Sequence, residues 1–151
     1  MQIVTFEPKY RDDFKILNLE WITTHFRVEP KDTEQVENPE DCIEGGGEIF
    51  FIIVDGRVVG TCAMYHATSG RYELAKMAVD PRDRGHGYGD VLMKAAEDWA
   101  RTKGADEVFL LSNTKLEPAI TLYKKHGYVT TRLGPHPHYD RCNIEMTKAL
   151  K

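Results

Sequence analysis

Three glycines at alternate positions, Gly85, Gly87 and Gly89, stand between a run that alternates like a strand, Glu73 to Val79, and a run with helical spacing, Gly87 to Lys103. Few backbones satisfy that arrangement. A glycine-rich turn feeding a helix amino terminus exposes several amides at once, lets an oxyanion approach the main chain closely, and adds the partial positive charge of the helix end. Arg82 and Arg84 add full charges to the same loop, Asp80-Pro81-Arg82-Asp83-Arg84-Gly85-His86-Gly87-Tyr88-Gly89. The loop is therefore expected to cradle an anion, and a diphosphate suits it. Two other phosphate loops are excluded, because G-x-G-x-x-G would need its third glycine at Asp90 and no G-K-S/T follows.

The surrounding pattern places this loop inside a mixed fold. A strand is expected over Gln2 to Phe6, then a helix over Arg11 to Phe26 with Phe14, Leu17, Trp21 and Ile22 on its inner side. From Glu29 to Glu48 the chain turns acidic, with eight carboxylates against the single Lys31, punctuated by Pro30, Pro39 and Gly45-Gly46-Gly47. Short helical turns are expected there. Strands over Glu48 to Val54 and Arg57 to His66 are joined by Asp55-Gly56, a hairpin dipeptide, and Ser69-Gly70 turns the chain into a third strand, Tyr72 to Val79. The helix after the loop carries Val91, Leu92, Ala95, Ala96 and Trp99 on one side and ends at Gly104. A strand at Val108 to Leu111, a helix from Pro118 to Gly127, and two strands near Tyr128 to Arg132 and Asn143 to Thr147 complete the chain. The order β-α-α-β-β-β-α-β-α-β-β predicts one α/β (α+β) domain over residues 1–151. A single mixed, mostly antiparallel central sheet is expected, with helices on both faces and one parallel strand pair.

Charge narrows the partners. Twenty Lys plus Arg against twenty-four Asp plus Glu leave a formal charge of -4, which argues against a general nucleic-acid binder. Cys42, Cys62 and Cys142 form no C-x-x-C pair, so neither a disulfide framework nor a structural zinc site is expected, and a reducing compartment suits them. His136-Pro137-His138 lacks a third ligand of convincing spacing, and no metal is expected. The amino terminus shows no basic segment followed by an apolar one, and no run approaches the roughly 20 apolar residues of a membrane span. The expectation is a cytoplasmic protein without membrane or nucleic-acid partners.

Arg82-Asp83-Arg84-Gly85-His86-Gly87 fits the pattern Q/R-x-x-G-x-G/A and so resembles the pyrophosphate loop of the GNAT superfamily of acyl-CoA-dependent N-acyltransferases. Two further blocks agree in order and spacing. Glu73-Leu74-Ala75-Lys76-Met77-Ala78-Val79 resembles the strand leading into that loop. Leu111-Ser112-Asn113 and Pro118-Ala119-Ile120-Thr121-Leu122-Tyr123-Lys124-Lys125-His126-Gly127-Tyr128 resemble the next strand, its Asn, and the A-x-x-L-Y-x-x-x-G-F/Y helix. The likeness covers Glu48 to Thr147. It implies a splayed parallel pair, an acetyl-CoA-binding core over 48–147, and an acceptor-side lid over 1–47.

The resemblance also implies roles. Arg82, Arg84, Gly85, His86, Gly87, Tyr88 and Gly89 would hold the pyrophosphate of acetyl-CoA, chiefly through main-chain amides. Met77 and Val79 would offer strand backbone to the pantetheine arm and an amide to the thioester oxygen. Asn113 matches a pantetheine contact, the alternative being a turn residue that caps the next helix. Tyr123 matches the acid that protonates the departing thiolate, the alternative being a core aromatic. Glu73 matches the position of a general base, with His66 as a substitute; period-two reading puts Glu73, Ala75, Met77 and Val79 on one face unless a bulge shifts the phase. Lys76, a charge in an apolar strand, is expected to form a structural pair. Trp21, Phe26, Tyr139 and Arg141 are expected at the acceptor, with Phe50 as a further lining residue. The acceptor is a small-molecule or protein amine, and the acidic segment would favour a cationic one unless its carboxylates are simply solvated. An N-acetyltransferase is expected, possible as a homodimer through its closing strands. The competing readings are a non-catalytic acyl-CoA sensor or interaction module on the same fold, and an unrelated α/β domain with a glycine-rich turn.

Overall fold

The computed structural model describes residues 1–151. Its alternating runs form seven strands: β1 (Gln2–Thr5), β2 (Glu48–Val54), β3 (Arg57–Thr68), β4 (Arg71–Val79), β5 (Glu107–Ser112), β6 (Val129–Leu133) and β7 (Ile144–Ala149). They make one sheet in the order β1-β2-β3-β4-β5-β7-β6. Every neighbouring pair is antiparallel except β4 and β5, which are parallel. Asp55 and Gly56 take φ of 51° and 76°, as a two-residue hairpin turn between right-twisted strands requires.

The helices are α1 (Arg11–His25), α2 (Pro30–Glu37), α3 (Pro39–Glu44), α4 (Tyr88–Thr102) and α5 (Glu117–Lys125). None is long and apolar enough to cross a membrane. The acidic segment resolves into α2 and α3, each opened by a proline whose missing N–H costs a first helical turn nothing. β2 explains how helices cover both faces. Its continuous run Ile49-Phe50-Phe51-Ile52 buries alternate residues in opposite directions, so both faces must be roofed. Ile49 and Phe51 pack with Phe14 of α1, Cys42 of α3 and Ala63. Phe50 and Ile52 join Leu92, Met93, Ala96 and Ala100 of α4, together with Met64, Tyr72, Leu74, Val108 and Leu110. Phe50 is thus core on the α4 side and does not line a pocket.

β4 carries two irregularities. The first is a bulge: Thr61 faces Ala78 while Ala63 faces Ala75, so β4 advances three residues for two of β3, and Lys76 takes φ 56°. Paired residues share a face, so the bulge inverts the pattern along β4. Glu73 opposite Tyr65 and Ala75 opposite Ala63 lie on the α1 side, whereas Tyr72, Leu74, Met77 and Val79 pack toward α4. The unbroken period-two reading is corrected accordingly: Glu73 and Met77 do not share a face. The second irregularity is the brevity of the parallel pair, since β4 meets β5 only from Arg71–Glu73 to Glu107–Phe109. Beyond that point the two strands part, as the splayed pair was expected to.

Where α3 turns into β2, Gly47 is closed in on all sides. A Cβ there would overlap the Met64 carbonyl oxygen and approach the Cys42 Sγ to 2.9 Å and the Cys42 carbonyl to 3.0 Å. Gly47→Ala is expected to cost about 2 kcal/mol through overpacking, lowering the thermal midpoint by roughly 4–8 °C. Urea or thermal unfolding checks this; an unmoved midpoint would show that α3 rides on β2 loosely.

Candidate active site

The glycine loop leaves β4 through a turn at Pro81–Asp83, fastened by the Asp80 carboxylate, which accepts from the Arg82 amide at 3.0 Å. Gly85 and Gly87 then take φ of 85° and 78°, conformations that side-chain-bearing residues resist. A Cβ on Gly85 would meet nothing within 4 Å, and one on Gly87 would meet only Asp90 Oδ2 at 4.0 Å, so the space above the loop is open. α4 begins immediately after, leaving first-turn amides without intrahelical partners. Gly89 differs, because its Cβ would lie 3.1 Å from Leu122 Cδ2 and its smallness lets α4 and α5 approach.

The loop's arginines are already engaged. Arg82 folds back on Asp80 at 2.9 and 3.1 Å, and Arg84 reaches Glu20 of α1 at 3.3 Å. Arg57 takes Asp83 at 2.9 Å. His86 and Tyr88 hold their rings 5.7 Å apart beside the loop. Lys125 and His126 both contact Asp90 at 2.8 Å, and hydrogen bonding first to Lys125 keeps that carboxyl below its ordinary range. The main-chain amides are therefore the groups of the loop left free for an anion.

Where β4 and β5 part, a cleft opens, enclosing about 810 Å³ of space that includes open solvent. Leu74 to Met77 form one wall and Leu110 to Asn113 the other; Trp21 of α1, Phe26 just after it, and Tyr139 and Arg141 of the β6–β7 loop also line it. Val79 is not part of this lining; it lies beside Gly60, at the strand end that feeds the loop. Tyr123 enters from α5, on the α4 side of the sheet. Burial pushes its phenol up to about 12. That phenol is not tied up in a hydrogen bond within the protein, whereas Tyr128 donates to Glu97 at 2.8 Å and Tyr139 donates to Gln35 at 3.2 Å.

Glu73 borders the same cleft from the other side of the sheet. Burial raises its carboxyl above the ordinary range, with Lys31, Lys76 and Arg71 pulling the opposite way, and no hydrogen bond contributes. His66 stacks on Tyr72 at 5.0 Å and pairs with it across the strands, on the face opposite Glu73. It is thereby removed as a substitute base. Asn113 is not a helix cap: its Oδ1 accepts from the Lys115 amide at 3.0 Å and its Nδ2 donates to the Arg141 carbonyl at 2.9 Å. α5 begins after Leu116, without a side-chain cap. No three His, Cys, Asp or Glu side chains converge as metal ligands would.

One residue at the site is absent from the sequence-based candidates. Asp32 of α2 is fully buried, and its carboxylate contacts Lys76 at 2.8 Å and Arg141. Its Oδ2 also accepts from the Glu29 amide at 3.0 Å, closing a capping box. The expected structural pair of Lys76 is this one. Other carboxylates of the acidic segment are likewise paired, Glu37 with Lys15 at 3.3 Å and Glu40 with Arg11 at 2.7 Å. The segment is neither a bare acidic surface nor fully solvated. The only sequence hint of the cluster is Glu29-Pro30-Lys31-Asp32, which reads as a helix start.

The chain matches the model of the acetyltransferase (GNAT) family over residues 14–128. It is 33% identical over 108 residues to an IAA acetyltransferase of Azospirillum brasilense, a match covering 68% of this chain and 69% of that protein. It is 37% identical over 75 residues to a streptothricin acetyltransferase of Streptomyces lavendulae, covering 49% of this chain but only 40% of that protein's length. An acetyltransferase of the GNAT family from Staphylococcus aureus Mu50 has the same fold, with a TM-score of 0.89 over 99% of both chains at 22% identity.

Asp32 predicts an acid sensitivity. Burial works to raise its carboxyl, but Arg141 and Lys76 overcome burial and hold it at about 2, below its ordinary 3.8. A depressed folded-state value means stability present above pH 4 and lost as the pH falls toward 2. The loss expected from this group is about 2 kcal/mol, read as the difference in acid unfolding between the wild type and Asp32→Asn. Coincident acid transitions would contradict it.

Proposed function

The chain belongs to the GNAT acetyltransferase family, and from that premise we propose that it moves an acetyl group from acetyl-CoA to a primary amine by direct attack in a ternary complex. The observation that carries the reading is the parted β4–β5 cleft, which has Glu73 on one side of the sheet and Tyr123 on the other and lies beside an open glycine cradle. The cradle fits a pyrophosphate: open space over Gly85 and Gly87, with the amides of the α4 start below. Arg84, Gly85, His86, Gly87, Tyr88 and Gly89 would hold it, Arg82 joining on release from Asp80. Met77 and Val79 would offer backbone to the pantetheine arm, and Asn113 its remaining amide hydrogen.

Acetyl-CoA supplies an activated thioester carbonyl; the protein supplies proton transfer and charge stabilisation. An alkylammonium has a pKa of about 10 and must lose a proton before attack. Glu73, made more basic by burial, takes it directly or through water. As the C–N bond forms, a main-chain amide at Met77 takes the negative charge growing on the carbonyl oxygen. As the C–S bond breaks, Tyr123 donates its proton to sulfur, and the proton shed by the acylated nitrogen restores the phenol through solvent; held at about 12, it is protonated and ready throughout the neutral range. Base and acid on opposite sides of the sheet suit an amine entering under α1 and α2 and a thiolate leaving past α5. Trp21 and Phe26, whose rings lie 6.0 Å apart, give the entrance an apolar wall, and Tyr139 and Arg141 give it a polar one.

Three free, buried cysteines support work in a reducing compartment, the cytoplasm. The edge strand β6 exposes Val129 and Leu133 by 63% and 69%, which supports pairing of two copies there. The net charge of -4 supports neither nucleic acid nor an anionic membrane as a partner.

Two measurements test the reading. Titration calorimetry with acetyl-CoA should show saturable binding that Gly87→Glu abolishes, because a carboxylate there repels the pyrophosphate; a folded wild type that binds nothing at millimolar cofactor would refute it. In a CoA-release assay, Tyr123→Phe should lower kcat by about 10²-fold with little change in the KM for acetyl-CoA. Glu73→Gln should remove the acidic limb of kcat/KM that lies above the ordinary carboxylate range, leaving only the limb set by the amine itself. An unaltered profile would remove Glu73 from the mechanism.

A further inference from the structure

Lys76 is an unusual residue for the bulge of β4. Its φ of 56° lies in the left-handed region that glycine enters freely and other residues resist, and its ammonium side chain is only 4% exposed. Such a conformation persists where the surroundings over-determine it. The hydrogen-bonded partner of that ammonium is one carboxylate. Asp32 Oδ1 lies 2.8 Å from Lys76 Nζ, while Oδ2 accepts from Arg141 Nη1 and from the Glu29 amide. Three segments distant in the chain therefore meet on Asp32: the bulge, the start of α2, and the loop between β6 and β7.

The cluster is poorly explained as a stability device, because desolvating three charges offsets most of their attraction and an apolar cluster would serve as well. Its geometry is more informative. Lys76 and Arg141 both line the cleft, whereas Asp32 does not and touches no reacting atom. The bulge that Lys76 forms is what carries Met77 to the face opposite Glu73.

We infer that Asp32 is the positioning residue of this site: by gripping Lys76 it holds the β4 bulge in the register that presents Met77, and by gripping Arg141 it sets the wall against which the amine binds. This rests on the proposed acetyl transfer for its kinetic consequences, but its structural consequence is independent of that reading. One buried group then governs donor alignment and acceptor binding together.

The test is a double-mutant cycle between Asp32→Asn and Lys76→Gly, glycine being free to adopt the bulge conformation without an ion pair. Acetyl-CoA and a panel of polyamines, aminoglycosides and lysine peptides serve as probes. Asp32→Asn should lower kcat about tenfold or more, as a small misplacement at the reacting centre does, and raise the KM for the amine, while the Kd for acetyl-CoA changes less than kcat does, because the glycine loop, which Asp32 does not touch, keeps its hold on the pyrophosphate. On the Lys76→Gly background the same change should no longer lower kcat, whereas its effect on the amine KM, exerted through Arg141, should persist. Amide exchange supplies a readout that needs no substrate: Asp32→Asn should speed exchange at Met77 and Ala78 about tenfold relative to Leu110 and Leu111. Asp32→Glu, which keeps the charge on a longer arm, replaces Asp32→Asn if the latter does not fold, and should shift kcat in the same direction. A lower melting point with unaltered kcat, KM and local exchange would overturn the inference, as would an equal loss of kcat on both backgrounds. A wild type that binds no acetyl-CoA would defeat the proposed function, and exchange at the bulge would still decide the role of Asp32.

Discussion

A parallel strand pair that stops after three residues is the constraint on which this molecule turns. Buried backbone amides and carbonyls demand partners, so two neighbouring strands do not part inside a sheet without something to hold them open. Here the remaining neighbours do so. β4 is held by β3 on both sides of its bulge, and β5 by β7 from Glu107 to Ser112, so each strand is anchored on its outer side while their facing edges diverge. The insertion of β7 between β5 and β6 matters for this reason, since it gives β5 an antiparallel partner that the local chain order alone would not.

The bulge at Lys76 acts within that opening. By advancing β4 one residue out of phase, it sends Met77 and Val79 toward α4 and α5 while leaving Glu73 under α1 and α2. A regular strand would have placed all of them on one side, with Tyr123 alone across from them. The phase change distributes the polar groups along a path through the sheet, from the aromatic entrance at Trp21 and Phe26, past Glu73 and the bulge, to the phenol of Tyr123. Burial then sets the character of each group: Glu73 becomes a stronger base and Tyr123 a weaker acid than either is in water.

The local parts of this arrangement are legible in the sequence and the ionic parts are not. The glycine loop, the hairpin at Asp55-Gly56 and the helix stops at Gly104 and Gly127 depend on neighbouring residues, and all four glycine-dependent turns appear with positive φ. The cleft is legible only through the likeness of three blocks to a known family, because no periodicity announces that a strand pair will part. Asp32 is not legible because its partners are 44 and 109 residues away, and in a segment with seven other carboxylates nothing marks one of them as buried. Lys76 is half legible: a charge in an apolar strand implies a partner without saying which. Asn113 stands near a helix start in the sequence, but the turn it closes ends before that helix begins.

Both arginines of the glycine loop are held by carboxylates. Arg82 rests on Asp80 and Arg84 on Glu20, while Arg57 of β3 takes the loop's Asp83, all in exposed or half-exposed pairs of the kind that contribute little in water. Such pairs are too weak to lock the loop and strong enough to mask it. For the proposed pyrophosphate, the arginines are occupied on arrival and the main-chain amides under the open space over Gly85 and Gly87 are the groups it would meet first. On the proposed reading the cradle would fill by order of contact, amides before arginines, and Arg84, on leaving Glu20, would release the hold of the loop on α1.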